Sequence, residues 1–192
     1  MSARWVEQRQ SERIMRLNAE RLILREVEWS DLDDIHSLHS LPEVDEFNTL
    51  GIPADKKETE RFLASLIDDQ QTQPRKRYSW VIVERSSDKF VGVVGLNLSA
   101  DKFRLGEIHY KLMPVSWGQG YATEAAKAVV RFGFEELELH RIEAGVATEN
   151  KASIRVLEKL GMTQEGKRRK ILPIRGQWKD SYHYALLEDD EW

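Results

Sequence analysis

A mixed α/β fold, one central mixed sheet of about seven strands with helices on both faces, is predicted by three features of the chain. Short runs of alternating apolar residues are interleaved with longer stretches whose apolar residues recur at helical spacing. Three strand-like runs follow one another through short polar turns, which makes antiparallel hairpins, whereas later strands are separated by whole helices, which makes crossovers and parallel neighbours. The length of 192 residues suits one domain, and 33 acids nearly balance 29 bases, so a core can be buried without strong self-repulsion.

Taken in order, residues 1–18 are polar, show no clear period and are expected to form an N-terminal extension to a single domain over 19–192. Arg21-Leu22-Ile23-Leu24-Arg25-Glu26-Val27 reads as a first strand. Ser30 suits an N-cap for a helix through about Leu38, ended by Leu41-Pro42. A second helix is expected from about Asp55 to Gln70, with Phe62, Leu63, Leu66 and Ile67 as its apolar stripe. Tyr78 to Glu84, Lys89 to Leu98 and Leu105 to Met113 form the meander, stopped by Pro114, which has no amide hydrogen for a continuing ladder. A glycine loop then opens a long helix to about Leu137, whose stripe is Ala122, Ala126, Val129, Val130, Gly133 and Leu137. Strand His140 to Ala147, helix Asn150 to Leu160 closed by Gly161, and strands Met162 to Ile171 and Gln177 to Leu187 complete the chain.

Composition excludes several chemistries. Cysteine is absent, which removes disulfides, thiolate metal sites and cysteine nucleophiles, and fits a reducing cytoplasm. No apolar run approaches the roughly 18 residues needed to span a bilayer, and the first residues lack an apolar signal core, so no membrane association is expected. A net charge of −4 does not suit direct nucleic-acid binding. The basic group Lys167-Arg168-Arg169-Lys170 reads as a solvated strand edge and Glu188 to Glu191 as a solvated tail. His36, His39, His140 and His183 have no metal-ligand spacing; His36 and His39 share a helix face and read as surface residues, so no metal is expected.

The stretch from Glu107 to Ala126 carries the chemistry: a strand, a proline stop, glycines at 118 and 120, then small residues opening a helix. Backbone amides pointing one way, with a helix dipole behind them, make a cradle suited to a pyrophosphate. One Gly-x-Gly taken alone is a plain turn, and the segment lacks the phosphate-loop and dinucleotide fingerprints. In full, however, Pro114-Val115-Ser116-Trp117-Gly118-Gln119-Gly120-Tyr121-Ala122-Thr123-Glu124-Ala125 resembles the acetyl-CoA-binding segment of the GNAT superfamily of N-acetyltransferases, especially its RimJ/RimL-like branch. The likeness extends to Arg21-Leu22-Ile23-Leu24-Arg25, to Asn150-Lys151-Ala152-Ser153 with Leu160-Gly161-Met162, and to Gly176-Gln177-Trp178-Lys179-Asp180, and so covers about residues 19 to 187.

The resemblance implies the GNAT fold and transfer of acetyl from acetyl-CoA to a primary amine. It implies that main-chain groups near Leu112 and Met113 hold pantetheine as an added strand. Val115 and the loop Gly118, Gln119, Gly120, Tyr121, Ala122 and Thr123 would form the rest of the cofactor set, with amides from 118 to 123 on the pyrophosphate. Asn150 and Ser153 would lie beside the thioester, and Arg155 with Lys151 near the outer phosphates; Asn150 is equally well explained as an N-cap.

Alternation along Gly106 to Met113 puts Glu107, His109 and Lys111 on one face. Glu107 is the first choice for the base or water-orienting carboxylate and His109 the second, with Lys111 as a partner for Glu107. The base need not be strong for an α-amine of pKa about 8, which is neutral in roughly one molecule in ten at pH 7, against about one in 2,500 for a lysine amine. The family's usual tyrosine acid is replaced by Leu157; Ser153 matches the serine of the RimL-like scheme, whose glutamate falls on Leu172. Ser153, Tyr182, Tyr184 or a water remain as proton donors. Trp117 stands at the family's usual arginine or glutamine position. Acids of Pro42-Glu43-Val44-Asp45-Glu46-Phe47 would draw a cationic acceptor. The expected partners are thus acetyl-CoA and an amine acceptor, a protein N-terminus or a small molecule, with a monomer or homodimer as the assembly. A non-catalytic acyl-CoA-binding module and a nucleotide-binding module are the competing readings.

Overall fold

The computed structural model of the chain describes residues 15–192. Residues 1–14 of the expected extension lie outside the described residues. Its last part is not an extension to the sheet but a member of it: β1 (Arg16–Asn18) pairs antiparallel with β2 (Leu22–Glu26). Three residues carry no readable period, so this extra strand had no signature in the sequence.

After β2 a short 3-10 turn, Trp29–Asp31, leads into α1 (Leu32–His39). The expected cap at Ser30 is corrected here: Asp31 is the buried anchor, accepting the Glu28 amide at 2.8 Å and pairing with Arg25 at 2.6 Å. Pro42 opens a second short helix, α2 (Pro42–Asp45), where its fixed φ and missing amide are tolerated. Asp55 caps α3 (Lys56–Gln71) through the Glu58 amide at 2.9 Å. The meander follows as β3 (Arg77–Glu84), β4 (Phe90–Leu98) and β5 (Leu105–Leu112). Then come α4 (Tyr121–Glu135), β6 (Arg141–Ala147), α5 (Lys151–Lys159), β7 (Thr163–Ile174) and β8 (Gln177–Leu187).

The eight strands form one sheet in the order β1-β2-β3-β4-β5-β6-β8-β7. All neighbours are antiparallel except β5 and β6, which the α4 crossover makes parallel. Two cores result. On one face α4 and α5 bury Ala126, Val129, Phe132 and Leu157 against Trp80, Leu96, Ile142 and Tyr184. Phe132 meets the fully buried Trp80 edge-on at 5.5 Å, a geometry worth about 0.5–1.5 kcal/mol beyond its area. On the other face Ile35 of α1 and Leu63, Leu66 and Ile67 of α3 cover Ile23, Val81 and Val83.

The feature that makes the site is where the sheet parts. β5 pairs with β6 over Leu105, Gly106 and Glu107 alone. Beyond that point β5 stays with β4 as far as Leu112, and β6 stays with β8 as far as Ala147. The Met113 amide bonds the Val91 carbonyl of β4, so by alternation the main-chain groups of Tyr110 and Leu112 face the gap.

Candidate active site

A cavity of about 670 Å³ fills this gap. Its outer end is the β5–α4 loop. Gly118 and Gly120 have φ of +73° and +81°, left-handed values that glycine adopts without strain, and no atom lies within 4 Å of where a side chain at Gly118 would begin. Gly120 is the N-cap of α4 and supplies no side chain to its first-turn amides. Those amides therefore point into open space with the dipole behind them, which fits a pyrophosphate. Arg21 braces the loop from across the sheet: its Nε bonds Glu124 at 2.8 Å, its Nη1 bonds the Gln119 carbonyl at 3.0 Å, and its guanidinium covers the Tyr121 ring. The Trp117 indole donates to the Leu112 carbonyl at 2.8 Å, packing the loop back onto the strand.

The inner end is set by β5. Glu107 is exposed at the last pair before the strands separate, and among the described residues its carboxylate has no hydrogen-bond or ion-pair partner. It faces Gly145 of β6, 3.9 Å from where a Cβ would stand there. His109 lies over its cross-strand partner Gly95, where a Cβ would stand 2.4 Å from the imidazole, so Gly95 makes room for the ring. The ring sits deep in the cleft yet remains open to the water in it. The protein around it pushes its pKa down to about 4, with Lys111 and Arg77 adding to the effect, so it is neutral at pH 7. Lys111 does not pair with Glu107 as expected. Among the described residues its Nζ is buried without a hydrogen-bond partner, and burial lowers its pKa to about 8, opposed by Asp45.

Tyr110, which alternation places on the strand face opposite Glu107, His109 and Lys111, also lines the cavity. Its hydroxyl lies 2.8 Å from Ser153 Oγ on α5, and burial pushes the phenol up to about 12, which keeps it protonated. Asn150 caps α5 by accepting the Ser153 amide at 3.0 Å, so the capping reading holds and the cap fixes the first turn that carries Ser153. Tyr184 is turned away, bonded to Gln164 at 3.1 Å, and neither it nor Tyr182 lines the cavity.

The structure brings Glu107, His109, Leu112, Asn150, Ser153 and Arg155 to one cavity, together with Gly118, Gly120, Tyr121, Ala122 and Thr123. Met113, Val115 and Gln119 stand outside its wall; the Gln119 side chain bonds the Val115 carbonyl at 2.8 Å and shapes the loop instead. Leu157 and Leu172 both line the cavity, so the two departures from the family pattern fall in the same cavity as Ser153. Of the acids expected to attract an acceptor, Glu43 and Glu46 line the cavity, whereas Asp45 is buried and held by Arg175 at 3.2 Å. His39 is not a surface residue: it packs on Phe62 at 5.5 Å, and burial, with Lys111 and His36 adding, lowers its pKa to about 4. Among the described residues there is no cluster that could hold a metal and no helix long and apolar enough to cross a membrane.

Comparison with known proteins identifies the family. The family model described as acetyltransferase (GNAT) domain matches residues 21–163. The uncharacterized N-acetyltransferase p20 of Bacillus licheniformis is 32% identical over 172 residues, covering 90% of this chain and 96% of that protein. A GNAT-family acetyltransferase from Bacillus anthracis superposes with a TM-score of 0.80 at 31% identity, over 92% of this chain and 100% of that one. Spermidine N-acetyltransferase from Vibrio cholerae, solved with CoA and spermine, shares the fold at 23% identity, with a TM-score of 0.79 over 88% of this chain and 97% of that one. The chain therefore belongs to the GNAT family and is an acetyl-CoA-dependent N-acetyltransferase.

Proposed function

We propose that the protein transfers acetyl directly from acetyl-CoA to the α-amine of a protein or peptide, as a RimJ/RimL-like enzyme of the cytoplasm. The observation that supports this reading most is the pairing of a lone, water-exposed carboxylate, Glu107, with a hydroxyl pair, Tyr110 and Ser153, across the split in the sheet. The pantetheine arm of acetyl-CoA would lie along Tyr110 and Leu112 as an added strand, with the pyrophosphate of the cofactor on the amides of 118–123 and Arg155 near the outer phosphates. The neutral amine attacks the thioester carbonyl carbon; the tetrahedral intermediate then expels the thiolate as the C–S bond breaks. Glu107, directly or through a water, takes the proton that the amine loses. Tyr110 donates to Ser153 Oγ, which leaves the serine proton free to point at the departing sulfur. A phenol at about 12 is a weaker acid than a thiol of about 8.5, so this pair orients and stabilises the thiolate, and its proton comes finally from water. Little help with deprotonation is needed for an α-amine already partly neutral at pH 7. His109, neutral at pH 7, is a second acceptor for the same proton.

A second acceptor class, small polyamines and other cationic amines, is favoured by Glu43, Glu46 and Glu107 in one cavity wall. Titration with acetyl-CoA by calorimetry, with ATP and NAD as controls, tests the cofactor. An amine screen follows, reading released CoA with a thiol reagent against a protein that contains no cysteine. Selective acetyl-CoA binding followed by acetylation of peptide N-termini supports the reading. Binding with no acetylated product from any primary amine would leave an acyl-CoA-binding module instead, and no selective binding would remove the cofactor assignment.

A further inference from the structure

The acceptor half of the cavity is walled by two segments far apart in sequence, the chain around α2 and, from the β7–β8 hairpin, Leu172. The hairpin does not run straight. Arg168 pairs with Ser181 and Leu172 with Lys179, so three residues of β7 stand opposite Asp180 alone. Asp180 holds this bulge by accepting the Lys170 amide at 2.9 Å on one oxygen and pairing with Lys167 at 2.7 Å on the other. A bulge bends its strand, and here the bend accompanies the turn of Leu172 into the cavity wall. Beyond it Arg175, at φ +47° in the tip, reaches 130 residues back along the chain. Its Nη2 donates to the Pro42 carbonyl at 2.6 Å and its Nε to Asp45 Oδ2 at 3.2 Å.

α2 has four residues, too few to hold its own shape, yet it carries Glu43 and leads into Glu46 and Phe47, all in the cavity wall. Asp45 is 5% exposed, and among the described residues the Arg175 guanidinium is its ion-pair partner, on Oδ2, offsetting part of the cost of its burial. We propose that Arg175 is a positioning residue that holds the α2 segment over the cavity, so that acceptor affinity, and not cofactor affinity, depends on it. The role rests on reading this half of the cavity as the acceptor site; the tie itself does not. Charge and reach are both needed, because one side chain must serve a carboxylate and a carbonyl together.

The test is hydrogen exchange on the full chain, wild type and Arg175→Gln. Amides of residues 42–49 should exchange about tenfold faster in the variant, while those of 118–124 stay unchanged. With spermidine and an alanine-starting peptide as probes, KM for whichever is acetylated should rise about tenfold, with kcat and the acetyl-CoA KM held within about twofold. Arg175→Lys should fall between. Asp45→Asn should reproduce Arg175→Gln, and the double variant should be no worse than either single change, since both break one tie. Unchanged exchange over 42–49 in Arg175→Gln would overturn the proposal, whether or not either probe is a substrate. A parallel rise in the acetyl-CoA KM would also overturn it, as general loosening. Failure of the wild type to bind acetyl-CoA would sink the functional reading instead, leaving exchange to decide the tie.

Discussion

Substituting Tyr110 by Phe removes one oxygen and leaves the ring in the core, so its effect reports the hydroxyl. The expected result is a kcat about ten- to a hundredfold lower with unchanged acetyl-CoA affinity, measured by steady-state kinetics and calorimetry. Glu107→Gln should act on the other proton. It should lower kcat about tenfold or more at pH 7, and the deficit should shrink above pH 8, where an α-amine neutralises itself. Lys111 offers a test on stability. Its folded pKa of about 8 lies below the ordinary 10.5, so between those values the unfolded chain binds more protons than the folded one. Stability should therefore rise with pH across that window, and Lys111→Met should abolish the rise while stabilising the protein below pH 8 by about 1 kcal/mol, as read by thermal melts. None of these residue roles was equally legible beforehand. Glu107 and His109 were chosen by alternation and Ser153 by the family resemblance, but Tyr110 was hidden because alternation puts it on the face opposite Glu107, and only the path of α5 brings Ser153 to its hydroxyl.

Elements set by period or by punctuation were readable. α3 and α4 follow their apolar stripes, and β8 runs from Gln177 to Leu187 as expected. The pieces without a period, β1 and α2, were not, being three and four residues long. Nor were the ties that hold elements together, since Arg21 lies 103 residues from Glu124 and Arg175 lies 130 from Asp45. The start of α4 is the element whose geometry is easiest to challenge. Gly120→Trp places a β-substituted residue at φ +81° and fills the space above the first-turn amides, so acetyl-CoA binding should be lost in calorimetry. Asn150→Ala removes the cap of α5 and should cost about 1 kcal/mol in a denaturant melt, whatever its contact with the cofactor.

At the scale of the whole molecule, five strands lie on one side of the split and three on the other. A ligand that pairs with both sides binds the folded state alone. Acetyl-CoA at about a hundred times its Kd should therefore add about 2.7 kcal/mol of stability and raise Tm, with no acceptor present. ATP at the same concentration should not. The three pairs that join the two sides, Leu105 with Arg141, Gly106 with Ile142 and Glu107 with Glu143, all sit at one end of the gap. Joined in this way, the two half-sheets stand like scissor blades about a pivot: a relative rotation would displace Glu107 least and would act with a lever that grows over the roughly 17 Å that five strand residues span, to the tips at Leu112 and Ala147. On the proposed reading, the long cofactor would enter where the blades stand furthest apart, while Glu107, the carboxylate proposed to take the proton, sits at the pivot where its aim is held.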